Sequence, residues 1–404
     1  MKVLFLAPRL PFPADTGGKI RTYNLLAQAA RTHQVALVCF SFDREDGIQA
    51  AELKRRLHAE IHLVPHEEPR QFQRLRQALV EPLPVSVVKY SARSMQAKLR
   101  TLTAAKAFDL AHIDHIHMAQ YQDVLQDIPV YIDDHNVEYM ILERCARVEN
   151  FWPKSLAYKM QAEKMRDHER DMLTQCRACG AVSEDDARIL RELTGRKHGV
   201  HVVENGVDVD YFDSQGHKDA ESQETGALVF TGSMDWLPNE DAVMFFIKDI
   251  LPLIWESKPD VKFYVVGKGP SAALLNAARK DARIQVTGRV EDVRPYIARS
   301  QVFVCPLRIG GGTRLKILEA LAMHKAVVST TIGAEGIAYC DREHLLAADE
   351  PQDFARQVVA LLDQPQRRAA LGRQGRDLVQ QKYDWRSIGR KLEGIYHEMA
   401  HRKI

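Results

Sequence analysis

A strand, a glycine turn, a helix and a second strand follow one another within the first 41 residues, and no other feature constrains the fold as tightly. Lys2–Ala7 is a short apolar run closed by the Pro- and Gly-rich stretch Pro8–Gly18. Ile20, Tyr23, Leu26, Ala27 and Ala30 then fall on one helical face, and Gln34–Phe40 is a second apolar run. Two parallel strands joined by a helix form a βαβ unit with a right-handed crossover. Strand-like runs continue at Ile61–Pro65, Leu110–Ile113, Val130–Asp133, Ala178–Ser183 and Val200–Glu204. A stretch poor in hydrophobic residues, Asp213–Gly226, reads as a linker. The alternation restarts at Ala227–Gly232 and continues through Lys262–Gly267, Ile284–Gly288, Val302–Pro306 and Ala326–Thr330. The 404 residues thus predict two doubly wound α/β domains. The first is placed at 1–205, with a C-terminal helix (386–404) packing back on it, and the second at 206–385.

Composition narrows the function classes. With 45% hydrophobic residues there is material for two cores. Lys and Arg number 56 against 54 Asp and Glu, so no overall charge calls for a nucleic-acid partner. No run approaches the roughly 20 apolar residues of a membrane span. Six scattered cysteines suit reduced thiols and a cytoplasmic setting. Between 52 and 106, however, eleven Lys and Arg face five Glu. That excess suits either a solvated basic face or anionic headgroups, the latter implying peripheral contact with the inner membrane face.

The segment from Pro306 to Ala322 carries the strongest chemical signal. A strand ends at Cys305–Pro306, Gly310, Gly311 and Gly312 follow, and a helix is expected to open near Thr313. Backbone amides exposed by glycines, next to a helix N-terminus, form an anion cradle. Arg308, Arg314 and Lys316 add cations suited to a diphosphate, and Glu319 can accept hydrogen bonds from a ribose diol. Neither the phosphate-loop pattern GxxxxGK[ST] nor GxGxxG occurs in this segment. The plainer alternative is a glycine-rich turn with a surface Lys316–Glu319 pair. A second glycine loop, Gly17–Gly18 followed by Arg21, lies after the first strand, where doubly wound sheets bind ligands. Cys176, Cys179, His198 and His201 lack the usual zinc spacing and read as packing residues. Asp167–Asp171 and Glu184–Asp186 read as solvated helix faces or caps, and Asp208–Asp210 as a capping turn.

Taken in order, these motifs resemble a family. They include the Gly17–Gly18 loop, Asn205-Gly-Val-Asp208, Gly232-Ser-Met-Asp-Trp-Leu-Pro-Asn239, Thr287-Gly-Arg-Val290 and the Gly310–Ala322 segment. The chain is similar to retaining GT-B glycosyltransferases of family 4, and within them to sugar transferases of exopolysaccharide and PEP-CTERM gene clusters. The resemblance implies two Rossmann-like domains facing across a cleft and transfer of a sugar from a UDP- or GDP-linked donor to a glycan or lipid-linked acceptor. The nucleotide sugar is then a co-substrate, with no metal and no other cofactor. Gly232 and the Arg289–Val290 backbone fall at donor-binding positions of the family. Of the family's two glutamates, with seven residues between them, the second matches Glu319 while the first falls at Gly311. Arg308, Arg314 and Lys316 then replace the Arg and Lys that relatives carry after the first strand of the second domain. The reacting sugar is expected beside a histidine of the first domain: His115 is favoured, with His112, His117 and His135 as rivals. His115, Arg314 and Glu319 are the expected catalytic set. Alternatives are a GT-B nucleotide-sugar 2-epimerase and a non-catalytic nucleotide-sugar or glycan binder, the latter kept open by the missing glutamate.

Overall fold

A computed structural model describes residues 1–66, 81–125, 127–149, 151–213, 223–310 and 313–401. Most of the expected linker, Gly311, Gly312, and residues 67–80 of the basic stretch lie outside these. The chain divides into two units, Met1–Glu204 with Trp385–Ile404, and Asn205–Asp384.

The first unit is built on seven parallel strands: β1 (Lys2–Ala7), β2 (Gln34–Ser41), β3 (Glu60–Pro65), β4 (Leu110–Asp114), β5 (Val130–Asp133), β6 (Ala178–Ala181) and β7 (Val200–Val202). Their order is β3-β2-β1-β4-β5-β6-β7. β1 thus separates the strand that follows it from the strand reached by the long return, and that reversal opens a crevice at the carboxyl ends. Phe5 pairs with Leu37 on one side and His112 on the other, so β1 is paired along both edges, and Leu4, Phe5 and Leu6 are fully buried. α1 (Gly17–Thr32) follows β1, and the helices α2 (Glu138–Val148) and α3 (Trp152–Gln175) form a hairpin between β5 and β6. Burial of Leu4, Leu6, Val38, Phe40, Ile113, Ile132, Met165 and Leu173 in one cluster holds these layers together. The C-terminal helix, labelled α6 (Trp385–His401), packs on α1 and β4, with Tyr396 fully buried.

The second unit repeats the plan with six parallel strands: β8 (Ala227–Thr231), β9 (Lys262–Val266), β10 (Ile284–Gly288), β11 (Val302–Cys305), β12 (Ala326–Ser329) and β13 (Leu346–Ala347). The order β10-β9-β8-β11-β12-β13 again places the reversal at the first strand of the unit. Two helices matter most for the site, α4 (Leu237–Phe245) after β8 and α5 (Leu315–Ala322) after β11. Ile317, Leu318, Leu321 and Ala322 anchor α5 in the core beside Phe230, Val304 and Val328.

Candidate active site

In the first unit, a neutral set of buried charges stands at the ends of β4 and β5. Arg21, on the first turns of α1, grips Asp133 with Nε and Nη2 at 2.8 and 2.7 Å. Its Nη1 and Nη2 also donate to the Glu204 and Val203 carbonyls. Asp114 accepts from Thr22 Oγ1 at 2.9 Å and from His135 Nε2 at 3.0 Å, and His135 Nε2 lies 3.3 Å from Asp133. Two cations thus neutralise two carboxylates. Burial works against charge on His135, but Asp114 and Asp133 outweigh it and raise its pKa to about 9. Its other nitrogen faces the glycine loop, since a Cβ on Gly18 would sit 4.0 Å from His135 Nδ1. α1 begins at Gly17 with no side-chain cap from Thr16.

The remaining histidines differ sharply. His112 stacks on Phe5 with ring centres 4.0 Å apart and bonds Tyr396, and burial lowers its pKa to about 4. It is a core residue. His115 follows β4 in a left-handed conformation (φ 78°), with its Nδ1 2.6 Å from His117 Nδ1 and its Nε2 3.7 Å from Glu138. Burial and the His135 charge hold it neutral, with a pKa lowered to about 3. Its side chain keeps 20% exposure, against 7% for His135. The His115 and His135 rings stand 4.9 Å apart. Beneath them Glu138, raised to about 7 by burial, accepts from Asn136. Glu169, fully buried on α3, caps α2 by accepting from the Glu138 and Tyr139 amides.

In the second unit the site is built where backbones come together. A Cβ on Gly267 would lie 1.8 Å from the Gly232 carbonyl oxygen, and one on Gly232 would lie 2.7 Å from Lys316 Nζ and 2.8 Å from Asn239 Nδ2. Both glycines have positive φ, 152° and 155°. Lys316 Nζ donates to Asn239 Oδ1 at 2.7 Å and lies 3.9 Å from the centre of the Phe230 ring. Asn239 also donates to the Ser233 carbonyl, tying the β8–α4 loop to the lysine. Burial lowers the Lys316 pKa to about 8, with Arg314 acting in the same direction. Gly310, at φ 150°, lets the Arg314 guanidinium lie against it, for a Cβ there would fall 2.2 Å from Arg314 Nη2. Glu319, one turn along α5 from Lys316, is raised to about 7 by burial. Thr313 is fastened through its hydroxyl to the Gly336 carbonyl and through its own carbonyl to Asn205.

Residues 16–211 match the family model described as Glycosyltransferase Family 4, and residues 225–364 match that of Glycosyl transferases group 1. Each unit thus matches a glycosyltransferase family model over most of its length. Phosphatidyl-myo-inositol mannosyltransferase of Mycobacterium tuberculosis is 29% identical over 207 residues, 49% of this chain and 54% of the relative. The chain thus spans about half the length of that curated relative. An uncharacterized 44.6 kDa protein in the cps region of Klebsiella pneumoniae is 20% identical over 369 residues, 89% of this chain and 90% of that one. The structure of Anabaena HepE in complex with UDP-glucose aligns at a TM-score of 0.70 with 14% identity, covering 98% of this chain and 100% of that one. The fold is therefore the GT-B type.

In the second unit the structure gathers Gly232, Gly310, Arg314, Lys316 and Glu319 around the ends of β8 and β11, and holds Thr313 nearby. Arg289 is exposed and Val290 half-buried at the end of β10, toward the sheet edge. Two expected ligand cations are corrected. Arg21 is enclosed by Asp133 and two carbonyls, so its fork is not open to an anion. Arg308 forms a bidentate pair with Asp241 and covers Phe245 rather than joining Lys316. α5 opens at Leu315, two residues later than expected. The charged runs are not uniformly solvated either: His168, Glu169 and Asp186 are buried. Asp208–Asp210 is a turn, its first carboxylate accepting from the Asp210 and Tyr211 amides. Sequence reasoning missed Asn239 as the holder of Lys316, although it stood in the quoted β8–α4 motif. It also missed Asp114, whose only signal was its place at a strand end.

Proposed function

We propose that this protein transfers a sugar from a nucleoside-diphosphate sugar to a glycan or lipid-linked acceptor, with retention, in polysaccharide or glycolipid assembly. The observation that carries this reading is Lys316, a partly desolvated cation held by Asn239 against the glycine at the end of β8. An ammonium with a lowered pKa gains charge when a diphosphate approaches, so its affinity is directed at an anion. Arg314 lies over Gly310 at the start of the same helix, and α5 adds the positive end of its dipole. As the glycosidic bond breaks, negative charge accumulates on the departing diphosphate, and these fixed groups stabilise it without reorganising. Glu319 accepts from the ribose hydroxyls. The chain's own cations do the work assigned elsewhere to a metal. In the first unit, His115, neutral and the more accessible, meets the sugar hydroxyls, while His135 keeps charge and position through Asp114 and Asp133. The names of the similar proteins support the class: a mannosyltransferase acting at phosphatidyl-myo-inositol, a cps-region protein and a UDP-glucose complex.

The test is a thermal-shift panel of UDP, GDP, ADP and TDP, followed by turnover of the matching nucleotide sugars with and without acceptor. One diphosphate should raise the melting temperature, since a ligand that binds only the folded state stabilises it. That shift should be markedly smaller in Lys316→Met at the same ligand concentration. Equal shifts for wild type and Lys316→Met would refute the donor site. Turnover that never releases nucleoside diphosphate would point to epimerisation instead.

A further inference from the structure

The hairpin of α2 and α3 carries an apolar face that the described residues of the first unit leave exposed. Phe151, Trp152, Leu156 and Met160 are 63, 74, 50 and 40% exposed. Among the described residues nine large hydrophobic side chains are exposed, and these four fall within ten consecutive positions. Trp152, Leu156 and Met160 recur every four residues and so share one face of α3. No residue from 152 to 161 is buried, and burial begins at Ala162. This half of α3 is held by α2, through helix packing and through Ser155 donating to the Ala146 carbonyl at 2.7 Å.

Charged side chains of both signs flank the stripe. Arg147 at the end of α2 is exposed, as are Lys154 and Lys159 on α3. Lys154 pairs with Glu149 at 2.7 Å and sits beside the Tyr158 ring, and Arg147 lies 4.0 Å from Glu143. Glu163 is exposed on the same side, one turn beyond Met160. Two aromatic residues at a hairpin tip, an aliphatic stripe beside them and flanking Lys and Arg match the physical demands of a lipid–water interface. Amphipathic aromatic rings settle at headgroup depth, and long cationic side chains reach the phosphates.

We propose that this tip docks onto the surface of an anionic phospholipid bilayer, inserting Phe151, Trp152, Leu156 and Met160. Part of the basic 52–106 stretch borders it, for the Val85 amide donates to Gln161 and Lys164 donates to the Glu81 carbonyl. The far end of α2 begins at Glu138, beside His115. With eleven residues, α2 spans about 16 Å, so the docked tip would bring the histidine cluster within reach of an acceptor held at the interface. That consequence rests on the transferase reading, whereas the docking itself does not.

Co-sedimentation with vesicles of phosphatidylglycerol and phosphatidylcholine, without any sugar donor, tests it. Wild-type protein should bind the anionic vesicles, bind pure phosphatidylcholine more weakly, and lose affinity in high salt. Trp152→Glu/Leu156→Glu/Met160→Glu should partition at least about tenfold more weakly at an unchanged melting temperature. Vesicles should shift tryptophan emission to the blue in wild type, and the shift should disappear in Trp152→Phe, which still binds. Absence of wild-type vesicle binding, or binding untouched by the triple substitution, overturns the proposal. So does a dimer in sedimentation equilibrium that the triple substitution dissolves while vesicles are ignored.

Discussion

Replacing Lys316 by methionine separates the anion-site reading from the plain-turn alternative. The ammonium donates to Asn239 and packs against Phe230, so its stem is fixed and methionine preserves the stem volume. What is lost is charge-assisted hydrogen bonding to the diphosphate, worth about 1.5–3 kcal/mol, or roughly 10- to 150-fold in dissociation constant. The pH profile gives a second, independent readout. With its pKa lowered to about 8, Lys316 loses its proton above that pH, and wild-type affinity should fall toward a tenfold loss per unit. Glu319, raised to about 7, protonates below that pH and loses its acceptor role, producing an acid limb. Calorimetric titration of the matching diphosphate from pH 6 to pH 9.5 should therefore show a maximum between these values. Lys316→Met should abolish the alkaline limb and keep the acid one, and Glu319→Gln the reverse. If Lys316→Met binds within a factor of two of wild type, or keeps the alkaline limb, the lysine does not meet the diphosphate.

Three further outcomes follow from the geometry. Arg21→Met should cost about 3–5 kcal/mol in urea denaturation, because it strands the buried Asp133 carboxylate; a loss under 1 kcal/mol would contradict the structural assignment of Arg21. His135 has a folded pKa of about 9, above its usual 6.5, so its stabilising contribution is complete below pH 6.5 and disappears as pH rises through 9. The melting-temperature gap between wild type and His135→Gln should narrow across that window, and a constant gap would argue against a charged His135. Gly267→Ala places a methyl against the Gly232 carbonyl, which must move at a cost of about 1–3 kcal/mol, and the diphosphate-induced thermal shift should fall with it.

Much of the fold was legible because buried parallel strands read as continuous apolar runs, and most predicted runs lie within a residue or two of the observed strands. Ala178–Ser183 and Val200–Glu204 were overread, since their strands stop at Ala181 and Val202. Glycine signals were informative for a similar reason. Gly232 and Gly310 adopt positive φ, and each meets a cation where a Cβ would stand. Cation assignments fared worse. Arg21 and Arg308 have the right residue type beside the right loops, but an arginine fork binds whichever carboxylate faces it. The partners, Asp133 and Asp241, come from 112 and 67 residues away.

The order of apolar runs and glycine turns by itself determined two parallel α/β units and the loops at which a ligand would be met, because backbone sterics and burial act over a few residues. Which charges remain available at those loops was decided only by the tertiary structure. A buried charge takes its pKa and its partner from groups that neighbouring strands bring close, 3.0 and 3.3 Å for the two carboxylates at His135. His135 is held charged by Asp114 and Asp133, whereas His115, next to Asp114 in the chain, is held neutral. Sequence distance carries no information about that difference; solvent exclusion and Coulomb interaction across the sheet do.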